Sequence, residues 1–174
     1  GRQYVLDPVR HTIRFLHEDV VIDMGGFAKG YALDKVKGIL VEAAISKALV
    51  NFGNSSTLAV GNQPYGESWP VGVQQRLASG VVSYDLCLCD SSLSVSGRTP
   101  AGIEHIKDPV SGEFAVADEL IIAEGVSAMI AEVLSTALYA APTGVKPQIL
   151  AGFEGYRATS VSCGASWATI VRHI

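Results

Sequence analysis

A chain of 174 residues is long enough for one well-packed domain and too short for two ordinary ones, so residues 1–174 are read as a single domain. With 48% hydrophobic and 17% charged residues, a disordered chain is excluded. The formal net charge is −4 and the thirteen Lys and Arg residues are scattered, which excludes the basic stripe that nucleic acid or an anionic membrane would need.

Taken in chain order, the segment from Val5 to Phe15 is weakly patterned, and Asp19 to Asp23 reads as a short buried strand ending at Gly25-Gly26. Apolar residues at Ala28, Tyr31, Ala32, Val36, Ile39, Leu40 and Ala43 recur at helical spacing and predict the first helix. Ala48 to Phe52 is the next strand, closed by the turn residues Gly53 to Ser56. Thr57 to Val60, Trp69 to Gln74 and Val81 to Cys89 continue in β style, and Ser91 to Phe114, rich in Ser, Gly and Pro, reads as loop. A strand at Leu120 to Ala123 leads to a second helix over about Val126 to Ala141, stopped by Pro142 and Gly144. Gln148 to Ala151, Ala158 to Ser162 and Trp167 to Val171 read as three closing strands. Strand runs broken by only two main helices predict an α+β fold with a largely antiparallel sheet.

No stretch is apolar and long enough to be a transmembrane segment, and the start, at Gly1, carries no signal-peptide pattern. The compartment stays open on this ground. Three cysteines cannot all pair; Cys87 and Cys89 share one strand face and are expected to pack in the core, while Cys163 lacks the neighbours of a zinc site.

Three segments carry chemistry. In Asp23-Met24-Gly25-Gly26-Phe27-Ala28-Lys29-Gly30, two glycines turn the backbone between a strand and a helix. Such a corner presents unpaired N–H groups and a helix N-terminus, with Lys29 adding a full charge, and would receive a phosphate or pyrophosphate. The alternative is a plain strand-to-helix turn. On the second helix, Ile130, Val133, Leu134, Ala137 and Ala141 form one face and Glu132, Ser135, Thr136 and Tyr139 the other. Glu132 and Thr136, one turn apart, could converge on a hard cation such as Mg²⁺; the alternative is a solvated helix face. His105, in the loop motif ending Asp108-Pro109-Val110-Ser111-Gly112, could move a proton near a pyrophosphate or simply be exposed. His11, His17 and His173 have no comparable company.

Together and in this order, these segments resemble the ApbE family, the FAD:protein FMN transferases. The matching pieces are Asp-Met-Gly-Gly-Phe-Ala-Lys-Gly-Tyr-Ala-Leu-Asp at 23–34, Ala-Leu-Val-Asn-Phe-Gly at 48–53, Ser96-Gly97, His-Ile-Lys-Asp-Pro-Val-Ser-Gly at 105–112 and Ala-Glu-Val-Leu-Ser-Thr-Ala-Leu at 131–138. The resemblance implies a T-fold-related domain that moves FMN from FAD to a threonine of an acceptor redox protein and releases AMP, in a periplasmic or membrane-associated setting. It implies Mg²⁺ held by the Gly26 carbonyl, Glu132 and Thr136, with Ser135 a further ligand; FAD contacts from Asp23, Gly26, Lys29 and Ile106; and His105 as the catalytic histidine. Two other readings stay open: a non-catalytic relative that binds flavin or another anion or serves as a scaffold, and an FAD pyrophosphatase yielding AMP and FMN. The chain departs from the family at Glu132, where Asp is usual, near Asn54-Ser55, where an acid is often found, and at Val110, in place of a basic residue. Family members also carry about a hundred further residues before the first strand read here, a domain's worth of chain.

Overall fold

The computed structural model describes residues 3–98, 103–164 and 169–174. Ten strands and three helices follow in the order β1 (Tyr4–Asp7), β2 (Thr12–Phe15), α1 (Ala28–Glu42), β3 (Ala48–Phe52), β4 (Ser56–Val60), β5 (Trp69–Leu77), β6 (Gly80–Leu88), β7 (Ser92–Ser96), β8 (Glu119–Gly125), α2 (Ala128–Ala140), α3 (Lys146–Leu150), β9 (Arg157–Cys163) and β10 (Thr169–His173). Six strands form one sheet in the order β10-β9-β8-β7-β4-β3, with every neighbouring pair antiparallel. β1 and β2 pair as a separate hairpin, as do β5 and β6.

The alternation of side chains along each strand separates the two faces of the six-stranded sheet. On one face, Ala59, Leu93, Leu120, Ile122 and Val161 meet Leu77, Val82 and Leu88 of the β5–β6 hairpin. On the other, Leu58 and Val60 pack with Leu33 of α1 and Ala128 of α2, and Ile121 packs with Leu138 and Tyr139 of α2. With both faces covered, β4 is buried at every position and β8 reads as the near-continuous apolar run Leu-Ile-Ile-Ala. Each fully buried Leu or Ile contributes about 1.5–3 kcal/mol through removal from water.

The α+β class and the antiparallel sheet agree with the sequence reading; several local expectations do not. Residues 19–23 form no strand. Asp19 ends a turn and residues 20–23 join no element, with Val21 86% and Ile22 49% exposed; a strand needs a paired edge, and none of the described strands pairs with them. Of residues 148–151, read as a strand, the first three belong to α3 and Ala151 is its C-cap; Pro147 in the first turn supplies a preset φ, and Ile149 and Leu150 pack towards the core under α2. The supposed loop 91–114 contains β7, which lies between β4 and β8. Its sequence Ser-Leu-Ser-Val-Ser alternates, with Leu93 in the hairpin-side core and Ser94 and Ser96 under α2. Cys87 and Cys89 are exposed instead of packed in the core, because Leu88 takes the inward position between them. The weak segment 5–15 holds β1 and β2, and the Trp167 start read for the last strand lies outside the described residues.

The hairpin of β5 and β6 is tied down at both ends. Trp69 Nε1 donates to the Val60 carbonyl at 3.3 Å, and at the turn Asp118 accepts from the Ala78 and Ser79 N–H groups at 2.8 and 3.1 Å. Burial acts to raise the Asp118 pKa, but the neighbouring Ser79 side chain, the hydrogen bonds from the two N–H groups and the Arg98 charge outweigh it and leave the pKa below the usual carboxylate value. A carboxyl lowered on folding stabilises above its unfolded pKa of 3.8 and loses that contribution as pH falls through the folded value. Hydrogen exchange at Ala78 and Ser79 is therefore expected to lose protection below about pH 4, after correction for intrinsic rates, and an Asp118→Asn variant to show that weaker protection already at pH 6. Equal protection in the variant and the parent chain at pH 6 would remove Asp118 as the anchor.

Candidate active site

The α1 and α2 helices meet at their N-terminal ends, and the sequence dictates how closely. At Gly30 an added Cβ would lie 2.3 Å from the Ala128 carbonyl oxygen, so only glycine allows this approach. Asp34, one turn along α1, accepts from the Ala128 and Met129 N–H groups at 2.8 and 3.2 Å and from the Ser127 hydroxyl at 2.6 Å. A carboxylate thus sits on the positive end of α2, and the Ser127 hydroxyl also accepts from the Ile130 N–H at 3.3 Å as N-cap.

This docking buries the polar face of α2, which corrects the alternative of a solvated face. Glu132, Ser135 and Tyr139 are 2%, 0% and 3% exposed, whereas Val133, expected among the apolar residues, is 41% exposed. The Tyr139 hydroxyl donates to the Ala117 carbonyl at 3.1 Å, and burial pushes its pKa up. Glu132 is gripped from α1: the Lys29 ammonium pairs with Oε1 and the Gly30 N–H donates to Oε2. Ser135 shares hydrogen bonds with Ser94 at 3.1 Å and Ser96 at 2.9 Å and donates to the Glu132 carbonyl at 3.1 Å. Thr136 Oγ1 lies 3.3 Å from Ser96 Oγ.

In front of these groups opens a cleft of about 720 Å³, within the usual range for ligand pockets. Asp23, Gly26, Lys29, His105, Ile106, Glu132 and Thr136 all line it, so the structure brings together seven of the eight residues singled out in the sequence. The eighth, Ser135, is wholly buried behind the wall with its hydroxyl committed to its neighbours. At the glycine corner, Asp23 Oδ1 accepts from the Gly25 N–H at 2.7 Å, and a Cβ added at Gly26 would meet Thr136 Cγ2 at 3.8 Å. Gly53 and Asn54, with φ of 67° and 61°, turn the β3–β4 connection into the same cleft, and Asn51 Oδ1 accepts from the Asn54 N–H at 3.0 Å.

Sequence reasoning assigned no role to a second group of lining residues. Gln74, Gln75 and Arg76 of β5, together with Arg98 and Lys107, also line the cleft. Gln75 Nε2 donates to the Arg98 carbonyl, and the Arg98 guanidinium pairs with Glu104. Arg98 and Lys107 directly follow or interrupt motifs already noted and could have been found there; nothing in the pattern of β5 marks Arg76. Among the described lining residues, four cationic side chains (Lys29, Arg76, Arg98 and Lys107) face two acidic ones (Asp23 and Glu132), in a chain of net charge −4. The cleft is thus suited to an anion.

The oxygens at hand also suit a hard cation. Among the described residues no three His, Cys, Asp or Glu side chains cluster as a metal site. Gly26, Glu132 and Thr136 nevertheless line the same cleft, and a backbone carbonyl, a carboxylate and a hydroxyl are oxygen donors of the kind that could hold Mg²⁺. Both Glu132 oxygens already accept in the structure, Oε1 from the Lys29 ammonium and Oε2 from the Gly30 N–H, so a cation at this carboxylate meets the Lys29 charge first.

The fold and cleft therefore define an α+β domain with a cationic cleft between a glycine corner and a buried carboxylate. The sequence model of the ApbE family matches residues 2–158, and the chain belongs to that family. It is 28% identical over 120 residues to the FAD:protein FMN transferase of Klebsiella pneumoniae (strain 342), covering 64% of this chain and 35% of that protein. To the FAD:protein FMN transferase of Treponema pallidum (strain Nichols) it is 30% identical over 123 residues, covering 59% and 32%. The fold matches the flavin transferase ApbE from Vibrio cholerae with a TM-score of 0.78 at 18% identity, over 98% of this chain and 55% of that one. It matches the ApbE protein from Thermotoga maritima with a TM-score of 0.77 at 24% identity, over 97% and 56%. The aligned portion is thus about a third of the length of these curated relatives and about half of the solved structures. No helix among the described residues is long and apolar enough to cross a membrane.

Proposed function

We propose that the chain carries the FAD- and metal-binding face of an FAD:protein FMN transferase. The observation that supports this reading is the convergence of Asp23, Gly26, Lys29, His105, Ile106, Glu132 and Thr136 on one cationic cleft from three separate stretches of sequence. In this reading the FAD pyrophosphate lies along the glycine corner, with Lys29, Arg76 and Arg98 neutralising its oxygens. Glu132, Thr136 and the Gly26 carbonyl would hold Mg²⁺, which when bound supplies charge neutralisation at the diphosphate. Ile106 contributes an apolar surface to the flavin side, and Asp23 accepts from FAD.

The transfer then needs little covalent chemistry from the protein. A threonine hydroxyl of the acceptor attacks the FMN-side phosphorus in line, His105 takes the hydroxyl proton, and a phosphoester bond forms as the bond to the AMP oxygen breaks. AMP leaves with that electron pair. The acceptor is a redox protein that presents the threonine at the cleft mouth.

The test incubates the purified chain with FAD, Mg²⁺ and an acceptor bearing a target threonine, and follows AMP and covalent flavin fluorescence in a denaturing gel. Equal yields of AMP and labelled acceptor are expected, falling by at least about a hundredfold in His105→Ala, a typical loss for a general base. AMP with free FMN and an unlabelled acceptor would convert the reading to a pyrophosphatase. FAD binding with neither product would leave a binding protein only.

A further inference from the structure

Glu132 is a buried carboxylate whose neutralising partner comes from within the chain. Its Oε1 receives the Lys29 ammonium and its Oε2 the Gly30 N–H. The two oxygens differ in how fixed these partners are. Gly30 is held by backbone contact with Ala128, whereas Lys29 reaches Glu132 on a flexible four-carbon stem whose side chain is 34% exposed to the cleft. Gly53 leaves space beside that stem, since a Cβ added there would lie 3.6 Å from Lys29 Cδ.

We propose that Lys29 is a displaceable internal cation: a divalent metal competes with its ammonium for Glu132, and the displaced ammonium turns into the cleft to grip the diphosphate of the same ligand. The proposal rests on the metal and FAD reading given above. Its logic is the cost of leaving buried or partly buried charge unpaired. A metal arriving alone must expel an ammonium that has no new partner, so it binds weakly. With a diphosphate present, the metal satisfies Glu132 and the phosphate oxygens satisfy Lys29, so each ligand tightens the other by the same factor. Lys29 thereby couples the two binding events.

The test measures free Mn²⁺ by electron paramagnetic resonance, with and without ADP as an unflavinylated diphosphate. In the parent chain Mn²⁺ alone binds weakly and ADP tightens it. Lys29→Met is expected to bind Mn²⁺ alone at least about fivefold more tightly, with a smaller ADP effect, the lower end of typical coupling between sites. Lys29→Arg, which keeps the charge, binds Mn²⁺ as the parent does. Mn²⁺ affinity unchanged or weakened in Lys29→Met would overturn the proposal while leaving the metal reading intact. Absence of Mn²⁺ binding in every form, with and without ADP, would strike the metal reading itself and this proposal with it. Should Lys29→Met fail to fold, the lysine ε-carbon signals of the parent chain decide: the Lys29 resonance shifts as Mg²⁺ and ADP are added together, and a stationary resonance at saturation overturns the proposal.

Discussion

On the proposed reading a Glu132→Gln chain is expected to lose at least about a hundredfold in FMN transfer, because the residue would lose the charge proposed to hold the metal, and charge neutralisation at such a centre contributes several kcal/mol to phosphoryl transfer. The side chain keeps its volume, so the packing of α2 against β7 survives. The amide nevertheless turns a donor towards either the Lys29 ammonium or the Gly30 N–H, since both Glu132 oxygens are acceptors in the parent chain. A donor facing a donor in a buried site costs about 1–3 kcal/mol. Steady-state transfer rates, measured well below a melting temperature determined for each variant, separate this loss from unfolding. Glu132→Asp, which keeps the charge on a shorter stem, is expected to stay within about tenfold of the parent, a modest cost for a displaced ligand. Parental rates in Glu132→Gln would remove the carboxylate from the chemistry.

Gly30→Ala is the second large effect and acts through the backbone. The new methyl would stand 2.3 Å from the Ala128 carbonyl oxygen and 2.6 Å from Met129 Cα, both backbone atoms of α2 that cannot rotate away. Relief requires α1 and α2 to separate, which draws the Gly30 N–H off Glu132 and the Asp34 carboxylate off the N-terminus of α2. The expected loss is about 3 kcal/mol, or about 9 °C in melting temperature for a chain of this size. Gly144→Ala, where an added Cβ meets nothing within 4 Å, is the matched control and is expected to melt with the parent. Thermal denaturation of the three proteins checks this; coincident melting of Gly30→Ala and the parent would show that the helices are not in contact at Gly30.

The two helices show what the sequence makes legible and what it hides. Helical spacing found α1 and α2 because their apolar residues recur over many turns, and the strand ending at Phe52 was marked by the turn at Gly53-Asn54. What misled was the assumption that polar means exposed. Ser94 and Ser96 look like loop residues, and Glu132 and Ser135 like a solvated helix face, yet all four are buried, with Ser94, Ser96 and Ser135 joined by hydrogen bonds across the sheet–helix interface. Hydroxyl pairs of this kind are satisfied only by tertiary contact, which no single segment records. The short runs at 19–23 and 148–151 were misread for the opposite reason: few residues carry too little periodicity to distinguish coil, strand and helix. The motif residues of the site were legible as types, but their meeting in one cleft, and the cationic wall added by Arg76 of β5, come from the topology.

FAD is expected to occupy the cleft between the glycine corner and Glu132, and hydrogen–deuterium exchange with FAD and Mg²⁺ tests that most directly. Protection is expected around Gly26 to Gly30, Gly53 to Ser55, Ser94 to Arg98 and His105 to Lys107, the segments that line the cleft. Protection confined instead to the groove formed by Pro147, Phe153 and Tyr156, or no protection at FAD concentrations that saturate binding, would contradict it.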